Sequence, residues 1–227
     1  MAARKRSAPS PKTRPQSREK LTPRGGRKKA AVRKAPKHAL PHIASELVDG
    51  FSYVRNLIRE IPNFPQPGVL FKDITPLLAN PKAFHIVLDA IAERFMGEHI
   101  DAVVGIESRG FIFGGALAAR LNASFVPVRK PGKLPYRTDK VSYSLEYGES
   151  ELEMHRDSLS EGSRVLVVDD LLATGGTAAA AGELVHRQGA YVAAYAFVGE
   201  LLSLDGRDRL VPTPGIPFFA DPSLIPI

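Results

Sequence analysis

The sequence predicts an α/β fold in which helices flank a parallel central sheet on both faces. Three observations predict it: short apolar segments recur along the chain, segments with helical spacing separate them, and several apolar segments end in charged or hydroxyl-bearing residues. Uniformly apolar strands are buried on both faces, as in parallel sheets covered by helices. Ligands of such sheets bind beyond the carboxyl ends of the strands. The polar strand ends are therefore the candidate sites.

The first part of the fold is predicted to be helical and then extended. We expect a first helix from near Ser45 to near Glu60, because apolar residues recur there at helical spacing. Three prolines between residues 62 and 67 then favour an extended segment. A second helix is expected after Asn80-Pro81, with one apolar face formed by Phe84, Val87, Leu88, Ile91 and Phe95.

Four apolar segments are predicted to be the strands of the sheet: residues 102–106, 125–129, 164–168 and 192–198. A third helix is expected after Ser108-Arg109-Gly110 and a fourth after Gly175-Gly176-Thr177. Apolar and polar residues alternate over residues 140–156, on both sides of the turn-like Gly148-Glu149-Ser150. That alternation predicts a β-hairpin between the second and third strands of the sheet.

The charge of the chain is divided unequally. Residues 1–45 carry 14 Lys and Arg and one acid, whereas residues 46–227 carry 17 Lys and Arg and 23 acids. The Pro-, Ser- and Lys-rich beginning lacks apolar periodicity, so we predict a disordered basic tail over residues 1–44 and a folded domain over residues 45–227. A solvated extension, contact with a polyanion and organelle targeting remain open as roles of this tail.

Composition excludes several kinds of site. The chain has no cysteine, which excludes disulfides, thiolate metal sites and a cysteine nucleophile. No apolar stretch approaches the roughly 18 residues that a membrane span needs, and no apolar stretch follows the basic tail as in a secretory signal. We expect a cytoplasmic protein that does not bind membranes.

The clearest chemical pattern lies at the end of the third predicted strand, Val165-Leu166-Val167-Val168. Asp169 and Asp170 end it, and a turn with small residues then opens a helix. Backbone amides at a helix N-terminus attract phosphate, and carboxylates accept hydrogen bonds from ribose hydroxyls. We therefore predict a phosphate-and-ribose site, and no Gly-Lys-Ser/Thr follows the turn as in a kinase-type P-loop. The residues expected to bind the substrate here are Asp169, Asp170, Ala173, Thr174, Gly175, Gly176 and Thr177.

The residues from Val165 to Thr177 resemble the phosphoribosyl pyrophosphate motif of the type I phosphoribosyltransferases. Four further segments resemble the adenine branch of that family: residues 63–76, 107–111, 129–135 and 143–148. The resemblance covers roughly residues 46–205 and implies the family fold, with a small N-terminal hood and a projecting β-hairpin lid. It also implies transfer of ribose 5-phosphate from phosphoribosyl pyrophosphate to adenine, which yields AMP and pyrophosphate in purine salvage.

The resemblance assigns the leaving pyrophosphate to two segments. Glu107-Ser108-Arg109-Gly110 is similar to the family's pyrophosphate loop, which typically contains a cis peptide bond that does not precede proline. Ser108 would bind the substrate, and Arg109 would offer planar donors to phosphate oxygens. Arg129, Lys130 and Lys133 are similar to a basic segment that reaches pyrophosphate from a neighbouring subunit, which implies a homodimer. Magnesium would arrive on the pyrophosphate, without a metal site of the protein's own.

The remaining assignments concern adenine and catalysis. Leu70 and Lys72 match positions whose backbone reads the adenine edge, and the family often has Arg where Lys72 stands. Tyr147 is expected to contact adenine, while Glu146 resembles the family's catalytic glutamate. Glu146 would either bind the imidazole edge of the purine or balance the positive charge of the ribosyl transition state.

Two other functions fit parts of the sequence. One is a related transferase that uses xanthine, hypoxanthine or orotate. The other is a non-catalytic regulator that binds the same ligand, to which the basic tail gives some weight. A complete pyrophosphate loop, Glu146 and the lack of a helix-turn-helix pattern favour the enzyme.

Overall fold

The structure, a computed structural model of the chain, describes residues 50–145, 148–210 and 223–226. All of them belong to one unit, Leu40–Ile227. The predicted tail over residues 1–44 lies outside the described residues, and so do Glu146 and Tyr147. The described part contains no helix long and apolar enough to cross a membrane.

The elements before the sheet form the hood. Helical residues 50–55 (α1) lead into an antiparallel pair, β1 (Arg59–Pro62) and β2 (Leu70–Asp73). The short helix α2 (Thr75–Leu78) and the long helix α3 (Pro81–Phe95) follow. Asn80 caps α3 by accepting a hydrogen bond from the backbone N–H of Ala83 at 3.0 Å, and Pro81 occupies the first turn, where no donor is needed.

The central sheet is parallel, as predicted, and has five strands within the described residues. The strands are β3 (Ala102–Ile106), β4 (Ser124–Val128), β7 (Arg164–Leu172), β8 (Tyr191–Glu200) and β9 (Ser223–Pro226). Their order in the sheet is β4-β3-β7-β8-β9. Helix α4 (Gly110–Leu121) connects β3 to β4, and α5 (Gly176–Arg187) connects β7 to β8.

Alternate residues of each strand serve the two faces of the sheet. Val103, Leu166 and Val168 pack with α3 and α4 on one face, whereas Val104, Val165 and Val167 pack with α5 on the other. Side chains of a strand point alternately to opposite faces, so apolar residues at every position give two cores. This layering confirms the predicted architecture.

The β-hairpin consists of β5 (Thr138–Leu145) and β6 (Gly148–His155). Its half nearest the body packs on the α5 face of the sheet, where Val141, Leu152 and Met154 are buried. The predicted turn at Gly148-Glu149-Ser150 was wrong, because these residues pair with Leu145, Ser144 and Tyr143 inside the hairpin. A turn-like composition was overridden there by cross-strand pairing.

The first helix also ends earlier than expected. It stops at residue 55, and Arg59 and Glu60 belong to β1. The Arg59 guanidinium lies 2.7 Å from Asp73 across the two strands, and Lys72 forms an ion pair with Glu60. Pairing with β2 therefore outweighs the helical spacing of the residues that precede Pro62.

Candidate active site

The carboxyl end of β7 and the start of α5 form the predicted phosphate turn. Gly175 precedes the helix with a left-handed φ of 77°, a conformation that favours glycine. No side chain caps the N-terminus of α5, so its first amides are open to an anion. Ala173, Thr174, Gly175 and Thr177 line a cleft of about 180 Å³ together with Arg109, Asp169 and Asp170.

The turn is pressed against a segment that follows β8. A Cβ atom added to Gly175 would lie 2.2 Å from the carbonyl oxygen of Gly206, and one added to Gly206 would lie 2.1 Å from the carbonyl oxygen of Ala173. Backbone thus packs directly on backbone, with no room for a side chain on either partner. The shape of the phosphate turn depends on this contact as well as on its own sequence.

The two aspartates at the strand end have different surroundings. Asp170 is 2% exposed. Its Oδ2 lies 3.0 Å from Arg109 Nε but has no aligned hydrogen bond within the described residues. Asp169 is partly buried, and burial, together with the neighbouring Asp170 charge, raises the pKa of Asp169 well above its ordinary value.

The predicted pyrophosphate loop lies across the cleft from this strand end. The peptide bond between Glu107 and Ser108 is cis, Ser108 is exposed, and Arg109 is partly buried at the start of α4. The Arg109 guanidinium lies 5.5 Å from the centre of the Phe71 ring and also faces Asp170. Arg109 therefore connects the hood to the nucleotide strand. Sequence reasoning missed Phe71, although it stands between Leu70 and Lys72.

A cation cluster surrounds Glu107, whose side chain is 9% exposed. Its carboxylate accepts hydrogen bonds from Arg129 at 3.2 and 3.3 Å, from Lys133 Nζ at 2.5 Å and from the backbone N–H of Lys130 at 3.0 Å. Burial opposes ionisation, but the bonds from Lys133, Lys130 and Arg129 outweigh it and lower the pKa of Glu107 to about 2. Two cationic side chains, those of Arg129 and Lys133, and the backbone amide of Lys130 thus converge on one carboxylate beside the predicted pyrophosphate loop.

A second buried glutamate shapes the same basic segment. Glu153 of the hairpin is 2% exposed and accepts hydrogen bonds from the backbone N–H groups of Lys133 and Leu134, each at 3.2 Å. Burial opposes its ionisation, yet these backbone donors and Thr138 lower its pKa. Sequence reasoning assigned no role to Glu107 or Glu153, and both turn out to hold the segment that carries Arg129 and Lys133.

The hood leaves one edge of β2 unpaired within the described strands. The Val69 carbonyl accepts a hydrogen bond from the Phe64 N–H at 3.2 Å, toward the β1 side, and Pro62, opposite Leu70, has no N–H to donate. Because backbone groups alternate in direction along a strand, those of Leu70 and Lys72 point to the free edge. This geometry fits the predicted reading of a base edge.

A larger hollow of the described surface lies elsewhere. It measures about 490 Å³ and is lined by residues such as Phe95, His99 and Asn122 at the amino ends of β3 and β4. None of the predicted site residues lines it, so size alone does not identify the site. In the described ranges no group of three His, Cys, Asp or Glu side chains could hold a metal ion.

Comparison with known proteins agrees with this site. The phosphoribosyl transferase domain family matches residues 73–209. An adenine phosphoribosyltransferase of Sorangium cellulosum is 66% identical over 163 residues, which is 72% of this chain and 82% of that protein. One from Roseiflexus is 58% identical over 70% of this chain and 92% of its own length.

Solved structures agree as well. The crystal structure of adenine phosphoribosyltransferase from Rhodothermus marinus has a TM-score of 0.73 and 47% identity, and covers 79% of this chain and 99% of that one. The Saccharomyces cerevisiae enzyme, complexed with an imino-altritol bisphosphate and adenine, has a TM-score of 0.71 and 41% identity over 78% of this chain and 99% of that one. The chain therefore belongs to the adenine phosphoribosyltransferase family.

Proposed function

We propose that the chain transfers the 5-phosphoribosyl group of phosphoribosyl pyrophosphate to adenine, forming AMP and pyrophosphate in purine salvage. The observation that carries the proposal is the shared cleft, in which Asp169, Asp170 and the phosphate turn face Arg109 of the pyrophosphate loop. A turn for phosphate, carboxylates for ribose hydroxyls and a cationic loop in one cleft match the three parts of this substrate, which are the 5-phosphate, the neutral ribose and the pyrophosphate. The names of the relatives supply the choice of adenine.

The phosphoribosyl part of the substrate is assigned to the β7–α5 connection. The amides of Ala173, Thr174, Gly175, Gly176 and Thr177, with the two threonine hydroxyls, would hold the 5-phosphate. Asp169 and Asp170 would accept hydrogen bonds from the ribose hydroxyls. The raised pKa of Asp169 supports this role, because a carboxylate with few partners in the free chain gains them when the ribose binds.

The pyrophosphate is assigned to Ser108, Arg109, Arg129, Lys130 and Lys133. Arg129 and Lys133 already pair with Glu107 of their own chain, so the cluster has more cations than anions and retains a net positive charge for a second anion. We propose a homodimer in which this basic segment also serves the neighbouring subunit. The substrate would be the magnesium complex of phosphoribosyl pyrophosphate, in which the ion neutralises charge on the leaving group.

Adenine is assigned to the free edge of β2, where the backbone of Leu70 and Lys72 would read its polar edge, with Tyr147 as a further contact. In the reaction, the bond between ribose C1′ and the pyrophosphate oxygen breaks and its electron pair leaves with pyrophosphate. The lone pair of adenine N9 forms the new bond to C1′, and the N9 proton is released. Glu146 would bind the imidazole edge or balance the ribosyl cation.

The cytoplasm is the proposed location, because a sugar with several phosphate groups does not cross a membrane unaided. The enzyme would therefore work where this substrate is made.

One assay tests the function and the base. Pyrophosphate release is measured with magnesium, phosphoribosyl pyrophosphate and adenine, hypoxanthine or guanine in turn. Adenine should be preferred by at least about 10²-fold, because a site built for an amino group leaves polar groups unpaired with a keto base. Equal rates with hypoxanthine would contradict the proposal. In the same assay Glu146→Gln should lower kcat by roughly 10–10³-fold and leave the KM for phosphoribosyl pyrophosphate nearly unchanged.

A further inference from the structure

A hydroxyl pair links the hairpin to the phosphate turn. Thr177, the second residue of α5, donates a hydrogen bond from its Oγ1 to the Tyr143 Oη of β5 at 3.2 Å. This separation is long for two hydroxyl groups, whose oxygen atoms usually lie about 2.7–2.8 Å apart. The two hydroxyls are therefore paired, but not at the strongest hydrogen-bond geometry.

Tyr143 is held in position by the packed half of the hairpin. Its neighbour Val141 is 4% exposed, and the Tyr143 ring packs against the core cluster on the α5 face. At the other end of α5, the Arg187 guanidinium donates to the Lys140 carbonyl oxygen at 2.8 Å. The hairpin thus contacts α5 near both helix ends, which fixes the Tyr143 hydroxyl relative to the helix N-terminus.

The two hydroxyl groups can exchange the roles of donor and acceptor when a phosphate is bound. A threonine hydroxyl has one proton, and a bond to an anionic phosphate is roughly twice as strong as one to a neutral oxygen. When a phosphate reaches the turn, the Thr177 proton is better directed at the phosphate than at Tyr143. The Tyr143 hydroxyl can then donate to Thr177 Oγ1, because each hydroxyl both donates and accepts.

We propose that Tyr143 is a positioning residue that orients the Thr177 hydroxyl toward the 5-phosphate of the substrate. Tyr143 does not touch the ligand and acts through Thr177. By donating to Thr177 Oγ1 it fixes the rotamer of that side chain and strengthens the bond that Thr177 makes to phosphate. The inference rests on the proposed function, since it requires that the turn binds the phosphoribosyl group.

The test measures binding of phosphoribosyl pyrophosphate with magnesium by calorimetry, and kinetics with adenine. Tyr143→Phe keeps the ring and removes only the hydroxyl, so the core packing of the hairpin is retained. It should raise the Kd and the KM for phosphoribosyl pyrophosphate about 3–10-fold, the range of one hydrogen bond. The kcat and the KM for adenine should stay within about 2-fold of wild type, because no adenine contact is lost.

Coupling to Thr177 separates positioning from a general structural effect. In a Thr177→Val background Tyr143→Phe should weaken binding no further, whereas in a Thr177→Ser background, which keeps the hydroxyl, it should again cost about 3–10-fold. Tyr195→Phe is the matched control, because the Tyr195 hydroxyl also touches α5, at Gly182 in the middle of the helix. It should lower the melting temperature without changing the Kd.

Two results would overturn the inference: an unchanged Kd in Tyr143→Phe, or an equal loss in the wild-type and Thr177→Val backgrounds. Either can be recognised only if the wild-type enzyme binds phosphoribosyl pyrophosphate and forms AMP. A wild-type protein that does neither contradicts the proposed function and the inference together. An enzyme with normal turnover and an unaffected Tyr143→Phe variant contradicts the positioning role alone.

Discussion

Two parts of the predicted site, the pyrophosphate side at Glu107 and the ribose side at Asp169 and Asp170, give their carboxylates opposite surroundings. On the pyrophosphate side, Glu107 accepts hydrogen bonds from two cationic side chains and a backbone amide, and its pKa falls to about 2. On the ribose side, the pKa of Asp169 is raised by burial and by Asp170, and Asp170 Oδ2 has no aligned donor in the described part of the chain. Glu107 thus accepts four hydrogen bonds, whereas Asp169 accepts one from the Asp170 N–H at 2.9 Å and Asp170 Oδ2 only lies beside Arg109 within the described residues.

The difference distinguishes a carboxylate that is satisfied within the fold from a pair whose proposed partners are the hydroxyls of a ribose. Glu107 is ionised and satisfied in the free chain, so it stabilises the fold and organises the cations around it. Burial of the aspartate pair costs free energy, because the carboxylates have few hydrogen-bond donors. Ribose hydroxyls would reduce that cost by donating to them. Strongly charged residues at one cleft therefore have separate roles, which substitutions can distinguish.

The largest expected effect is the loss of activity in Asp169→Asn. Losing a charged acceptor for a ribose hydroxyl costs about 1.5–3 kcal/mol, so kcat/KM for phosphoribosyl pyrophosphate should fall about 10²-fold. The melting temperature should hold or rise, because a carboxyl whose folded pKa is raised destabilises the fold as pH rises above its ordinary value of 3.8. Steady-state kinetics and thermal melts at neutral pH measure both. A large drop in melting temperature would show that Asp169 is structural.

An intermediate effect is expected from Glu107→Gln, and it should appear in stability. The amide keeps the size of the side chain but loses the charge that holds Arg129 and Lys133. The free energy of unfolding should fall by about 1.5–3 kcal/mol, the range for hydrogen bonds to a charged group. Denaturant titration measures it. Lys140→Gln is a matched control, because Lys140 lies 3.5 Å from Glu153 and is half exposed, so it should change stability by less than about 0.5 kcal/mol.

The smallest effect concerns pH. Glu107 has a lowered pKa, so its stabilisation is complete above its ordinary value of 4.5 and is lost as pH falls toward about 2. The stability difference between wild type and Glu107→Gln should therefore be largest at pH 6 and shrink toward pH 3. Denaturant midpoints at both values check this. A difference that grows on acidification would mean that Glu107 is not the ionised partner of the cluster.

Sequence patterns predicted the sheet well and its periphery poorly. Residues 102–106 were assigned correctly because five consecutive apolar residues can be satisfied only between two layers. The strand β9 was not predicted, since its four residues follow a proline-rich stretch and end in Pro226. The short helix α2 was also missed, because its four residues are too few to show a period.

The site was predictable where its residues are consecutive, and not where residues distant in sequence come together in the fold. Asp169 to Thr177 form one unbroken motif, and all of them except Gly176 line one cleft. Glu107 and Arg129 are 22 residues apart, yet they follow neighbouring parallel strands. Their pairing could have been inferred from the order of the strands in the sheet, but the apolar pattern of the sequence was not used to predict that order. The contact between Gly175 and Gly206 left no such signal, because they are two of 19 glycines in the chain and no pattern of the sequence links them.

That glycine contact has a consequence for the order in which the enzyme matures during synthesis. The strands β3, β4 and β7 are all complete by residue 172, and the phosphate turn itself by residue 177. Gly206, whose backbone fits against Ala173 and Gly175, leaves the ribosome only after β8. Because domains are made from the N-terminus at roughly 5–20 residues per second, a nascent chain carries the whole nucleotide motif for a second or more before its turn can take its final shape. The contact that shapes this turn is thus made late in synthesis, after most of the sheet exists.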